Sequence, residues 1–160
     1  MAFAPVYTRE SRTLIVGTWP SPKSRAQGFY YGHPQNRFWP MLAKLLCQPA
    51  PGTIEEKIAL LCANGLALWD TVEHCEITGA SDASIRGATP TDIEGLCRIA
   101  PIRRVLCNGA AAYGLYTRFH AIEGVQAVRL PSTSPANAAC SFARLCEEWG
   151  RYIGPGAAQP

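Results

Sequence analysis

The chain has 160 residues, of which 48% are apolar and 17% charged, and 15 basic against 12 acidic side chains leave a net charge of +3. That is one domain's worth of chain, able to bury a core without a metal or disulfide staple, and its weak basic bias suits a polyanionic partner without requiring one. No apolar run reaches the roughly eighteen residues of a membrane span. Residues 1–13 lack the apolar segment of a secretion signal, so a cytoplasmic protein is expected.

The seven cysteines stand at 47, 62, 75, 97, 107, 140 and 146. None are at C-x-x-C spacing, which disfavours a zinc or iron–sulfur site. Several lie inside apolar runs, where cysteine serves as a small hydrophobe, so reduced core thiols are expected.

In chain order, residues 1–10 read as an arm or edge segment, and Thr13 to Gly17 as a first strand. A connection of about twenty residues follows, and structureless loops of more than roughly 12–15 are uncommon and often functional. From Arg37 to Leu46, apolar residues recur at helical steps, with Pro40 tolerated in the first turn. Thr53, with Glu56 three residues on, opens a capping box for a helix that stops at Asn64-Gly65. Leu66 to Val72 is non-alternating and apolar, as suits a strand covered on both faces.

Glu76 to Thr89 shows no periodicity. Pro90 to Ile99 reads as a short helix capped by Thr89. A strand at Ile102–Cys107, a helix at Ala110–Phe119 and a strand at Val125–Leu130 come next, then a helix from Ala136 to about Tyr152. Strands alternating with helices predict a parallel sheet of four strands covered by helices, within a domain of residues 1–153 followed by a flexible tail of 154–160.

Ligands of such sheets sit beyond the carboxyl ends of the strands. Here those ends lead into GTWPS, WDTVEHC, CNGA and LPSTSPA, so four loops converge. The stretch Leu14 to Trp39 is the richest. Phe29, Tyr30 and Tyr31 offer flat faces for a planar ring. Asn36 can hold a water or read a heterocycle edge, and His33 adds a polar group. Ser132, Thr133 and Ser134, ahead of a helix start, suit phosphate. Together they point to a ligand built of nucleotide units.

Each group also has an ordinary structural role. The aromatics can pack a loop, His33 and Asp70 can cap turns, and Asn36 and the serines can cap helices. Among other schemes, no G-x-G-x-x-G, P-loop or G-x-S-x-G pattern occurs, and the main loop has no paired carboxylates.

Taken together, Gly17–Ser21 (GTWPS), Phe29–Trp39 (FYYGHPQNRFW) and Leu130–Asn137 (LPSTSPAN) resemble the ordered motifs of the uracil-DNA glycosylase superfamily. The match is best to its hypoxanthine-DNA (deoxyinosine) glycosylase branch. The mismatch-specific uracil-DNA glycosylases are more distant relatives sharing the GHPxNRFW-like segment. Leu68–Val72 and Asp82–Pro90 also look typical of the deoxyinosine branch, so the likeness spans residues 13–150.

The resemblance implies a three-layer α/β/α sandwich around a four-stranded parallel sheet. It also implies a monomeric enzyme of base excision repair acting on double- or single-stranded DNA, without metal, other cofactor or lyase step. Such an enzyme extrudes a deaminated base (hypoxanthine, with uracil or xanthine as other candidates) and hydrolyses its N-glycosidic bond.

Relatives commonly guide the attacking water with an Asn or Asp in the first motif, where Trp19 stands here. The deoxyinosine branch shares that departure, which implies Asn36 as the catalytic residue. By the same resemblance Tyr31 stacks on the flipped base. His33 contacts the base or sugar, the backbone at Thr18 and Trp19 reads the base edge, and Phe29 is a further base-binding residue. Ser132, Thr133 and Ser134 clamp flanking phosphates, while Lys23 and Arg25 either meet the DNA backbone or are plain solvated charges. Two other readings stay open: a lesion-binding module that has lost catalysis, and an enzyme for free nucleosides.

Overall fold

The computed structural model describes residues 3–19, 22–77 and 85–157. Its centre is a four-stranded sheet of β1 (Thr13–Gly17), β2 (Leu66–Asp70), β5 (Arg104–Asn108) and β6 (Gln126–Leu130), in the order β2-β1-β5-β6 with every pairing parallel. The second sheet is an antiparallel pair, β3 (Val72–Ile77) and β4 (Ile85–Pro90).

Side-chain alternation divides the core. Leu14 and Val16 of β1 join Ala67, Val105 and Cys107 beneath α4 (Ile93–Ile99) and α5 (Ala110–Phe119). Ile15 points the other way, with Leu66, Leu68, Leu106 and Leu130, beneath α2 (Phe38–Leu45), α3 (Ile54–Ala63) and α6 (Phe142–Trp149). The result is the expected three-layer α/β/α sandwich. Fully buried side chains such as Phe38 and Trp149, whose rings meet edge to face at 6.2 Å, hold the second cluster together. Burial contributes on the order of 1.5–3 kcal/mol per large side chain.

Several elements lie where local signals put them. Thr53 Oγ1 accepts from Glu56 N–H at 3.1 Å at the start of α3. The N-terminal arm covers the sheet edge, since Val6 and Leu68 exchange two backbone bonds of 2.9 Å.

Other elements differ from expectation. The long connection after β1 contains a one-and-a-half-turn helix, α1 (Pro22–Gln27). The aperiodic stretch after β2 forms the β3–β4 hairpin, whose short, irregular pairing leaves no clean alternation to read. Its connection, residues 78–84, lies outside the described residues, and so does part of the Asp82–Pro90 segment. Thr89 and Pro90 end β4, and α4 starts three residues later, capped by Asp92, which accepts from Gly95 N–H at 3.0 Å.

The last helix starts at Phe142, with Ser141 Oγ accepting from Arg144 N–H at 3.1 Å, not at Ala136. The reason is tertiary. The carbonyls of Ser134 and Asn137 accept from the Arg37 guanidinium at 3.1 and 3.0 Å, and that of Cys140 does so as well. A helix through this segment would turn those carbonyls onto its own amides. At the other end, Ala157 N–H closes a turn onto Gly154 O at 3.0 Å, and residues 158–160 of the expected tail lie outside the described residues.

Candidate active site

The parallel register brings Gly17 beside Asp70 and Asn108 beside Leu130, so the strand ends open onto one edge. At the first of these ends the chain has no room for a side chain. A methyl group at Gly17 would lie 2.8 Å from Asp70 Oδ1 and 3.0 Å from Tyr31 Oη. Glycine therefore lets the buried Asp70 carboxylate and the Tyr31 phenol close over the end of β1.

The three adjacent aromatics take different places. Phe29 stacks on Trp39 with ring centres 6.0 Å apart and meets Tyr30 edge-on, so it is buried and supports the site from below. Tyr30 is buried too. Its hydroxyl donates to Ala4 O at 2.7 Å, with Phe3 O at 3.1 Å, and its carbonyl accepts from Trp39 Nε1 at 3.0 Å. Burial first, then Asp70 and Tyr31, hold the Tyr30 hydroxyl far above the usual tyrosine range, so it acts as a neutral donor. Tyr31 alone is half-buried at the site, its ring centre 4.3 Å from that of Phe38. It has φ of +53°, a left-handed conformation uncommon for a bulky residue.

His33 is half-buried and closes its own turn. Its Nδ1 accepts from Gln35 N–H at 3.0 Å, and its carbonyl accepts from Asn36 N–H at 2.9 Å. In the neutral ring the proton then sits on Nε2, which leaves a donor. Thr18 is buried, and its carbonyl accepts from Val72 N–H at 3.2 Å. Trp19 is half-buried, with the Arg25 guanidinium 4.6 Å over its ring, and its Nε1 has no hydrogen-bond partner among the described residues. That stacking occupies Arg25 in part. The side chain of Lys23 lies outside what the structure describes.

Asn36 is the point where the two motif loops meet. Its Oδ1 accepts from Phe38 N–H at 3.0 Å and from the hydroxyl of Thr133 at 2.9 Å. The capping role open to Asn36 is thus real, and its carbonyl oxygen carries a second bond besides. Thr133 in turn is tied to Asn108 twice: Thr133 N–H donates to Asn108 Oδ1, and Asn108 Nδ2 donates to Thr133 Oγ1, each at 3.0 Å.

Thr133 departs from its expected role at a phosphate. It is fully buried, and its hydroxyl is spent inward on both neighbours. Ser132 and Ser134 on either side are half-buried. Their hydroxyls accept from Ser134 N–H and Ala136 N–H, each at 3.1 Å, and neither O–H has an acceptor among the described residues. With α6 beginning at Phe142, the loop rests on these local bonds and on Arg37, and not on a helix N-terminus directly behind it.

Beside this loop runs an open groove of about 830 Å³ whose lining includes Arg129, Ser132, Ser134, Asn137 and Arg144. Arg144 also bonds Glu148 at 3.1 Å. Among the described residues, no cluster of three His, Cys, Asp or Glu side chains could hold a metal ion. Likewise no helix among them is long and apolar enough to cross a membrane.

Two residues of the site carry little signal in sequence. Asn108 stands at a strand end, which marks it as a candidate by position. Arg37 had no local signal beyond its place in the Asn-Arg-Phe-Trp run, because its partners lie about a hundred residues away.

Three comparisons bear on this arrangement. The chain is similar to the hypoxanthine DNA glycosylase of Methanosarcina acetivorans, with 30% identity over 136 residues, 84% of this chain and 86% of the relative. It is similar to the Methanosarcina barkeri protein of the same name, with 29% identity and the same coverage. The solution NMR structure of a protein assigned to the uracil DNA glycosylases, also from M. acetivorans, superposes with a TM-score of 0.81 at 30% identity, covering 93% of this chain and 92% of that one. The family model described as the uracil DNA glycosylase superfamily matches residues 4–149. With its sheet order, its strand-end loops and that match in agreement, the chain belongs to the uracil DNA glycosylase superfamily.

Proposed function

We propose that this DNA glycosylase removes hypoxanthine from deoxyinosine in DNA, with uracil and xanthine as the other bases to be tried, and that Asn36 is its catalytic residue. Two observations support the substrate. Both Methanosarcina relatives bear the name hypoxanthine DNA glycosylase. The first-motif position that commonly carries a water-guiding Asn or Asp in the superfamily is Trp19 here, and the deoxyinosine branch that the chain resembles also lacks that residue.

The observation that carries the catalytic assignment is the Thr133–Asn36 bond. It joins the loop bearing Tyr31 and His33 to the loop bearing Ser132 and Ser134, and it leaves an oriented amide between them. A flipped base lies against the Tyr31 ring, where stacking is indifferent to base identity. His33 Nε2–H and the backbone at Trp19 meet its edge. Ser132 and Ser134 hold flanking phosphates, and the strand continues along the groove past Arg129 and Arg144. Phe29 and Thr133 take part only by packing and hydrogen bonding behind these groups.

As the C1′–N9 bond breaks, its electron pair departs on the purine and positive charge develops on the sugar. A water oxygen bonds to C1′ and gives up a proton to solvent, and the departed base anion takes one up, so that neutral base and a sugar hydroxyl result. The pocket lowers the barrier by holding the leaving base and water in line with the bond and by stabilising the charge that grows on the base. The protein acts as a cytoplasmic monomer and needs no metal.

The experiment is a labelled duplex carrying one deoxyinosine, incubated with the full chain in EDTA and then treated with alkali. Strand breaks at the inosine are expected, and their loss in Asn36→Ala. Intact inosine, uracil and xanthine strands would overturn the proposal. Trp19 in the first motif also favours a second reading, a lesion binder without catalysis. Tight binding to the inosine duplex with no base released would select it.

A further inference from the structure

Both ends of the hydrogen-bond chain Asn108–Thr133–Asn36 are anchored on backbone N–H groups, which can only donate. Thr133 N–H faces one atom of the Asn108 amide, so that atom is the oxygen, and Asn108 must offer its NH2 to Thr133 Oγ1. Phe38 N–H faces one atom of the Asn36 amide, so that atom is the oxygen too. The threonine hydroxyl is left with one arrangement, accepting from Asn108 and donating to Asn36. The order of protons along the chain is therefore set by covalent structure, with no freedom to flip either amide. Asn36 has its oxygen bonded twice, while its Nδ2 has no partner among the described residues. What it presents to a ligand is a donor.

We infer that Asn108 is a positioning residue that acts through Thr133 to commit Asn36 to donation, so that Asn36 serves the departing base and not the attacking water. A group that can only donate cannot take a proton from water. It can bond a lone pair on the purine ring or its exocyclic oxygen, which becomes more basic as the C1′–N9 electron pair moves onto the base, and such a bond strengthens in the transition state. Thr133 is suited to the link because it is fully buried, so no water competes for its hydroxyl. The inference rests on the assignment of Asn36 to the glycosidic bond, and its test separates the two.

The test uses single-turnover excision on the inosine duplex with the full chain, with DNA binding measured in parallel. Asn36→Ala examines the assignment alone. If it excises at the wild-type rate, both the assignment and the donor role fall. Asn36→Asp keeps an oxygen to accept from Phe38 and Thr133 but replaces the NH2 with an acceptor. It should be as slow as Asn36→Ala, and a rate near wild type would overturn the donor role.

Asn108→Asp tests the relay. Its carboxylate accepts from both Thr133 N–H and the Thr133 hydroxyl, so the hydroxyl proton turns away from Asn36. At pH 8 the rate should fall by roughly tenfold, about one hydrogen bond's worth, with DNA binding little changed. As the pH falls through the carboxyl range, the neutral acid can donate to Thr133 as the amide did, and the deficit relative to wild type should close. A merely structural role would leave the loss independent of pH.

If Asn108→Asp does not fold, Thr133→Val and Thr133→Ser replace it: valine should be slow and serine should restore the rate to within a few-fold. Asn36→Ala inactive beside wild-type rates in Asn108→Asp or Thr133→Val, or a deficit in Asn108→Asp that is the same at every pH, would overturn the relay and leave the assignment standing.

Discussion

The guanidinium of Arg37 donates to the carbonyl of Asn137 at 3.0 Å and to that of Ser134 at 3.1 Å, while the Arg37 amide donates to Thr133 O at 3.1 Å. The residue just ahead of α2 therefore fixes the shape of a loop a hundred positions away, and with it the side-chain chain that ends at Asn36. Lysine carries the same charge but lacks the planar fork that reaches several carbonyls at once. Arg37→Lys should cost about 1.5–3 kcal/mol, the range for hydrogen bonds to a charged group. It should lower the melting temperature by several degrees and slow excision, which calorimetry and the inosine assay measure. An unchanged melting point would remove Arg37 from its anchoring role.

Gly17→Ala should disturb the site more than the fold. The added methyl meets Asp70 Oδ1 at 2.8 Å and Tyr31 Oη at 3.0 Å, closer than ordinary contacts. Both neighbours are held in place, so the site must shift. Overpacking of this kind costs about 1–3 kcal/mol. The excision rate is expected to fall at least in proportion, with the far-ultraviolet circular dichroism spectrum unchanged. A wild-type rate would show that Tyr31 can move without consequence.

Tyr31→Ala removes the only one of the three adjacent aromatics that is more than slightly exposed. Stacking of a base on an aromatic ring is worth about 1–3 kcal/mol by alanine substitution. Binding to inosine-containing DNA should weaken by roughly tenfold or more, and binding to undamaged duplex should change much less. Phe29→Leu, in contrast, should lower stability with little effect on the ratio of damaged to undamaged binding. Equal losses on both DNAs in Tyr31→Ala would argue against a base-stacking role.

Alkali should destabilise the protein through its buried acids. Burial pushes the Cys107 thiol from 9.0 up to about 12, and burial likewise raises Tyr116. In each case the folded state disfavours the charged form. The stability that results is complete below the unfolded thiol's value. It is lost as the pH rises from about 9 toward 12, where the unfolded chain releases protons that the folded one retains. Urea midpoints measured from pH 8 to 10.5 should fall, and the slope should be shallower in Cys107→Ala even though its neutral-pH stability is lower. The exposed Cys47 should react with a thiol reagent at pH 8 well before Cys107.

Local chemistry made part of this protein legible. β1 runs from Thr13 to Gly17 as its β-branched run and terminal glycine predict, and α5 spans Ala110–Phe119 as read. The Thr53 cap is likewise a matter of residues three apart. The convergence of four loops follows from the parallel sheet once strands and helices alternate. Within those loops, residue type suggested a planar, phosphate-bearing ligand, and the eleven-residue run Phe29–Trp39 carried the family likeness.

What sequence could not convey is direction and pairing. Ser132, Thr133 and Ser134 read alike, yet the middle one is fully buried and the outer two are half-buried, because Thr133 is bonded inward to Asn108 and Asn36. Ala136–Cys140 has helix-forming residues but stays in turns, because Arg37 claims carbonyls there that a helix would need. Asn36 could equally have offered oxygen or nitrogen. That choice was made by Phe38 N–H, two residues away, and by a threonine hydroxyl 97 positions along the chain. Sequence determined which groups are present at the strand ends, since propensity and periodicity are local. Only tertiary structure decided which way each faces, since a hydrogen bond's orientation depends on the partner that folding brings to it.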